Sequence, residues 1–230
     1  MRIDIWSDVV CPWCWIGKHR FRRALETLGA AAPQVEVHWH PFRLDPDAAG
    51  AAPVPLREAL AARFGGAARV GRMLDQTGSV GRSEGLPFDF DRGQVRADTF
   101  DAHRLLWLAA REGDADAVGE ALFRAYFAEG RNVADPDVLA AAGAAGGLDE
   151  ARVRAMLASG EGRAEVTAGL GQAQALGISA VPTFVIDGRL AVQGAQSPET
   201  FAQVLARAAA ERAPAAAGDG AACGPDGCAI

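Results

Sequence analysis

A chain of 230 residues, half of them hydrophobic and 23% charged, carries enough apolar material to bury a core in one domain or two subdomains. The formal net charge is −6, with no basic run and no basic patch interleaved with aromatics, which argues against a nucleic-acid partner. Met1-Arg2 leads straight into Ile3-Asp4-Ile5-Trp6 without a secretory apolar region, and no stretch approaches the roughly 18 apolar residues of a membrane span, so the expectation is a cytoplasmic protein with no membrane partner.

Ile3, Ile5 and the residues up to Val9 and Val10 read as a buried strand and its loop, and Trp13 to about Leu28 reads as a helix. Between them stands Cys11-Pro12-Trp13-Cys14, two cysteines separated by two residues at a strand-to-helix junction. That is the pattern of a thioredoxin-like redox site. Unpaired N–H groups and the positive dipole end of the helix favour a thiolate, the form that attacks disulfides. A metal half-site and a pair of inert buried thiols are the competing readings. In the cytoplasm cysteine pairs are seldom structural staples, which favours redox chemistry. Phe21, Ala24, Leu25 and Leu28 give the helix an apolar face, and Gly29 suits its end. Lys18, the chain's sole lysine, lies four residues after Cys14; it is either a partner for a thiolate or a solvated side chain, and solvation is the expectation.

Val35, Val37 and Trp39 alternate with Glu36, His38 and His40, so a strand with one more polar face is expected, pairing parallel to the first as a βαβ unit. Two histidines on that face are half of a metal site at most; a partly exposed strand face is the simpler reading. After Pro41 and a Pro/Ala/Asp-rich loop the pattern turns helical: 56–64, 69–77, 98–112, 117–127, 136–145 and 150–157, the fifth capped by Asp135 with Pro136 in its first turn. His103 sits in the clearest of these helices; it is a packed structural histidine, or substrate-facing if that helix overhangs the cysteines.

A helix over 162–176 ends at Gly177, and Pro182 then opens a β-branched run to Ile186. The sequence leaves the isomer of the Val181–Pro182 bond open; a cis bond would turn the backbone of Val181 toward a substrate chain. Asp187-Gly188 is a hairpin turn into 189–193, and Ser197-Pro198-Glu199 opens a last helix. From 213 the chain is too poor in large apolar groups to fold alone, and it ends in Cys223-Gly224-Pro225-Asp226-Gly227-Cys228. That pair suits a second redox couple, half a soft-metal site, or nothing at all. The expected division is therefore a first part over 1–44, an inserted helical domain over 45–160, a second part over 161–213 and a tail over 214–230.

Cys-Pro-Trp-Cys-Trp-Ile-Gly-Lys, His-Pro-Phe-Arg-Leu (40–44), Thr-Phe-Asp-Ala-His-Arg (99–104), Gly177 to Phe184 and Gly194-Ala195-Gln196 together resemble the FrnE-like branch of the DsbA family of thioredoxin-fold oxidoreductases. The resemblance spans about residues 1–210. It implies an α/β, thioredoxin-like fold with an inserted all-helical domain, Cys11 as nucleophile, Cys14 as resolving thiol and Pro182 as a cis-proline. Pro12, Trp13, Val181, Pro182 and His103 are then the candidate substrate-facing residues, and Cys223 and Cys228 an auxiliary redox pair like that of some members. The implied substrate is a disulfide-bearing protein or a small thiol compound, with no resident cofactor or metal and a monomer or homodimer as the assembly. DsbA has Pro-His between its cysteines; Trp13 in place of that histidine implies a less acidic Cys11 and a less oxidising couple. A sister group of 2-hydroxychromene-2-carboxylate isomerases and kappa-class glutathione transferases usually has serine at the position of Cys11, so the alternative is a glutathione-dependent isomerase or transferase with glutathione as co-substrate. A metal-binding or holdase protein is the third reading.

Overall fold

The computed structural model describes residues 1–212. Four strands, β1 (Arg2–Ser7), β2 (Glu36–Pro41), β5 (Thr183–Ile186) and β6 (Leu190–Gln193), form one sheet in the order β2-β1-β5-β6. β1 runs parallel to β2 with Ile3 opposite Val37 and Ser7 opposite Pro41, and antiparallel to β5 with Trp6 opposite Thr183. The parallel pair requires a crossover, which helix α1 (Pro12–Leu28) supplies. β5 returns into β6 through Asp187 and Gly188, whose φ values of 50° and 67° are those of the hairpin turn that follows the twist of the strands.

Ile3 and Ile5 of β1, Phe184 and Ile186 of β5, and Phe21 and Ala24 of α1 form a core with Phe201 and Leu205 of α9 (Pro198–Arg212). As an edge strand, β2 is buried less than its apolar alternation suggests. Val37, expected with Val35 and Trp39 on the more apolar face, is 37% exposed.

Between β2 and α8 (Arg163–Ala175) lie α2 (Leu56–Phe64), α3 (Ala67–Ser83), α4 (Phe100–Glu112), α5 (Ala115–Phe127), α6 (Pro136–Ala145) and α7 (Glu150–Ala158). With the sheet they make a thioredoxin-like fold of substantial helical content. A two-stranded ribbon, β3 (Val54–Pro55) with β4 (Val95–Arg96), escaped the sequence reading because two-residue strands carry no period. α3 also extends beyond the expected 69–77. Gly78 and Gly81 continue the helix because Phe90 packs over the first and Phe88 lies directly against the second, so tertiary packing outweighs the roughly 1 kcal/mol propensity penalty of each glycine.

These helices share a second core with the start of α1. Cys11, Cys14, Trp15 and Ile16 pack with Leu105, Phe88, Phe123 and Phe127. Trp15 is fully buried, with ring centroids 4.9 Å from Phe88 and 6.0 Å from Phe127. Among the described residues no helix is long and apolar enough to cross a membrane.

Candidate active site

Cys11 is the N-cap of α1, with extended backbone dihedrals, and Pro12 occupies the first turn, where its missing N–H costs nothing. The Cys11 N–H donates to the Asp8 carbonyl and the Cys14 N–H to the Cys11 carbonyl, both at 3.0 Å, so a closed turn presents both sulfurs at the helix N-terminus. Both cysteines are free thiols and both are buried, 3% exposed at Cys11 and 1% at Cys14. Burial, reinforced by the neighbouring Cys11 sulfur, pushes the Cys14 thiol well above its ordinary value, against smaller favourable contributions from the Ser7 side chain and the Asp8 backbone. Cys14 therefore stays protonated while Cys11 is free.

The Val181–Pro182 peptide bond is cis. The Cys11 thiol points at the Val181 carbonyl, Sγ to O 3.7 Å. Three contacts hold this loop: Thr183 Oγ1 donates to the Ala180 carbonyl (2.7 Å), the Gly194 N–H donates to the Pro182 carbonyl (2.7 Å), and Pro182 packs on Gly17. A Cβ on Gly17 would lie 3.0 Å from Pro182 Cγ, so only glycine allows this approach without displacement. Nothing in the sequence alone marks Gly17 as a site residue beyond its position three residues after Cys14, on the same side of the helix. Trp13, 40% exposed, projects beside the buried sulfurs.

Lys18 is not solvated. It is 6% exposed, its Nζ 2.8 Å from Glu120 Oε2 and 3.0 Å from Asp116 Oδ2, because α5 lies over the face of α1 that the isolated sequence left open. Glu120 also accepts from Trp15 Nε1 at 2.9 Å and contacts His19 Nε2 at 3.0 Å. Burial alone would raise the Glu120 carboxyl; the His19 hydrogen bond, the Lys18 ammonium and the Trp15 N–H outweigh it and hold the group far below the carboxylate range. Lys18 thus neutralises Glu120, and its charge is spent there.

His103 is 4% exposed, with Nε2 donating to the Phe42 carbonyl at 2.9 Å and lying 3.3 Å from Asp8 Oδ1. Asp8 Oδ2 accepts from the Leu44 N–H at 2.8 Å. This buried carboxylate and imidazole tie the segment before Cys11 to the loop after β2. His103 lines a cleft of about 580 Å³ together with Ser7 and Val9, the segment that leads into Cys11. His40 pairs with Asp4 (2.6 Å) and stacks on Trp6, and no group of three metal-ligating side chains occurs among the described residues. Cys223 and Cys228 lie outside the described residues.

The model of the DSBA-like thioredoxin domain matches residues 2–206. A probable DsbA oxidoreductase from Streptomyces coelicolor is 41% identical, covering 100% of this chain and 99% of its own, with a TM-score of 0.84. At 21% identity, the cytosolic disulfide reductase DsbM of Pseudomonas aeruginosa shares the fold over 92% of this chain and 100% of its own, TM-score 0.62; it has also been solved with GSH. A 2-hydroxychromene-2-carboxylate isomerase shares the fold at 14% identity, TM-score 0.65, over 92% of this chain and 97% of its own.

Proposed function

We infer the activity from one premise: this chain belongs to the DSBA-like thioredoxin family. Within that family of thiol–disulfide oxidoreductases, Cys11 and Cys14 are the working pair. The observation that carries this reading is the position of Cys11 at the N-terminus of α1 with its sulfur 3.7 Å from the Val181 carbonyl. A substrate strand laid along Val181 brings its disulfide to the Cys11 sulfur, and Trp13 and Pro12 flank the approach.

The Cys11 thiolate attacks one sulfur of the substrate disulfide. That bond breaks, the second substrate sulfur leaves as a thiolate and takes a proton from solvent, and a Cys11–substrate disulfide remains. Cys14, held protonated by burial, then attacks the Cys11 sulfur as its proton passes, directly or through solvent, to the departing substrate sulfur. The remaining substrate thiol departs, leaving Cys11 joined to Cys14 and the substrate reduced by two electrons. A thiol reductant returns the pair to the dithiol; the reverse sequence oxidises a substrate dithiol. With Trp13 between the cysteines the couple works as a reductase or isomerase in the cytoplasm, on protein or small-molecule disulfides, and Cys223 with Cys228 serves as an auxiliary pair. Insulin reduction tests the assignment: Cys11→Ser abolishes turnover, and Cys14→Ala accumulates a mixed disulfide with the substrate. Undiminished turnover in Cys11→Ser would refute it.

A second reading, a glutathione-dependent isomerase or transferase, is favoured by the fold shared with the chromene-carboxylate isomerase and with a reductase solved with GSH. Under it Cys14→Ser retains turnover; under the dithiol reading that variant stops after one mixed disulfide.

A further inference from the structure

The sheet fixes the chain on either side of the redox loop only as far as Thr183 and Gln193, which pair with each other, while Trp6 pairs with Thr183. The Val181–Pro182 segment and the turn at Gly194 project beyond that pair, and their setting against α1 depends on contacts outside the sheet. The turn is closed on itself. Gly194 has a φ of 81°, the Gln196 N–H donates to the Gly194 carbonyl at 3.0 Å, and Gln196 Nε2 donates to the Gln193 carbonyl at 2.8 Å. Through the Gly194 N–H, which donates to the Pro182 carbonyl at 2.7 Å, this turn carries the cis-peptide loop and with it the Val181 carbonyl that faces Cys11.

Arg20 reaches the same turn from α1. It follows Gly17 by three residues, so the two positions share one side of the helix. Its Nη1 donates to the Ala195 carbonyl at 2.7 Å and its Nε to Glu84 Oε1 at 2.7 Å. Glu84 is the C-cap of α3, its side chain is 9% exposed, and its other oxygen takes Arg23. The guanidinium thus joins a carboxylate at the end of α3 to the main chain that follows β6.

Two contacts of opposite sense then place the loop. A Cβ on Gly17 would lie 3.0 Å from Pro182 Cγ and 3.5 Å from Ala195 Cα, so the loop already sits close against the bare backbone of α1. Such packing rises steeply against closer approach and resists withdrawal only weakly. Arg20 supplies the missing restraint, because the Ala195 carbonyl leaves α1 only by giving up a charge-assisted hydrogen bond.

We propose that Arg20, held by Glu84, is a positioning residue that keeps the Val181 carbonyl in register with the Cys11 sulfur for polypeptide substrates. The proposal rests on the dithiol reading and adds a selectivity to it. A polypeptide disulfide lays its main chain along Val181, whereas a small disulfide needs only the Cys11 sulfur. The clamp therefore bears on the first class of substrate and leaves the intrinsic chemistry of the thiols alone.

Three measurements on the full chain test it: steady-state insulin reduction, the single-turnover reaction of the reduced protein with 4,4′-dithiodipyridine, and the reduction potential of the Cys11–Cys14 couple. Arg20→Gln should raise the KM for insulin about tenfold with kcat little changed, the pattern of lost binding. Its rate with 4,4′-dithiodipyridine and its potential should match wild type. Should Arg20→Gln fold poorly, Glu84→Gln, which keeps the Ala195 bond but frees the guanidinium from α3, makes the same test with a smaller rise. An unchanged insulin KM in a folded variant would overturn the proposal. So would an equal slowing of the small disulfide or a shifted potential, either of which would show damage to the dithiol itself. Undiminished insulin turnover in Cys11→Ser is a different failure: it would refute the dithiol reading, and the clamp would fall with it.

Discussion

Replacing Glu120 by Gln removes the negative charge at the point where α1 meets α5. In the wild type that carboxylate takes the Lys18 ammonium at 2.8 Å, the Trp15 N–H at 2.9 Å and the His19 ring at 3.0 Å. Without it Lys18, 7% exposed as a side chain, keeps Asp116 Oδ2 at 3.0 Å and the Asp116 carbonyl at 3.2 Å. Breaking a fully buried pair costs about 3–5 kcal/mol. The surviving contact with Asp116 and the 27% exposure of the Glu120 side chain reduce the expected loss to about 2 kcal/mol. In a chain of this length that lowers Tm by about 4–8 °C.

The pH dependence gives a sharper test of the same contact. The folded-state carboxyl sits below its ordinary value of 4.5, so its stabilisation is complete above that value and is lost as pH falls through the folded-state value. Circular-dichroism melts of wild type and Glu120→Gln should differ by the full amount near about pH 7, and the gap should narrow below about pH 4.5. A variant melting within about 1 °C of wild type near neutrality would refute the inference that this pair anchors α1. So would a gap that widens on acidification.

Three further outcomes are expected. Trp13→His restores an imidazole between the cysteines and should make the couple more oxidising, read as a higher reduction potential in glutathione redox buffers. In Cys11→Ser, burial still holds the Cys14 thiol above the ordinary 9.0, so iodoacetamide at about pH 8 should modify Cys14 far more slowly in the folded chain than in urea. Gly81→Ala drives a methyl into the Phe88 ring within the core that holds Trp15, and should cost about 1–3 kcal/mol in urea unfolding.

The dithiol was legible in the sequence because its information is local. A strand, a turn and a proline at the first helical position place Cys11 at the N-cap, and the β-branched run after Pro182 marks the neighbouring strand. The partners of α1 were not legible. Lys18 meets Glu120 across 102 positions, and nothing about Glu120 on its own helix separates it from a solvated glutamate. Asp8 and His103 were hidden in the same way, since their proximity depends on the loop after β2 reaching back to donate from Leu44 and accept at Phe42. The cleft is further from the sequence still: Trp39 and Trp107 each read as one apolar residue in a periodic face, and only the packing of α8 on Pro41 brings them to a common cavity.

These contacts assign a chemical purpose to the helices between β2 and α8. One side of α1 is fixed by the sheet core through Phe21 and Ala24; Cys14, Trp15 and Ile16 are fixed by the helical core instead. Cys14, whose burial keeps it protonated, belongs to the same core as Leu105, Phe123 and Phe127, which are foreign to the sheet. A thiol left half-solvated at that position would ionise more readily and compete with Cys11 for the first attack. Under the proposed dithiol mechanism, the helical segment would set the order of the two nucleophiles. Loosening α5 from α1, as Glu120→Gln is expected to do, should raise Cys14 reactivity toward iodoacetamide in the same samples in which Tm falls. A drop in Tm with no change at Cys14 would show instead that the sheet side alone keeps that sulfur dry.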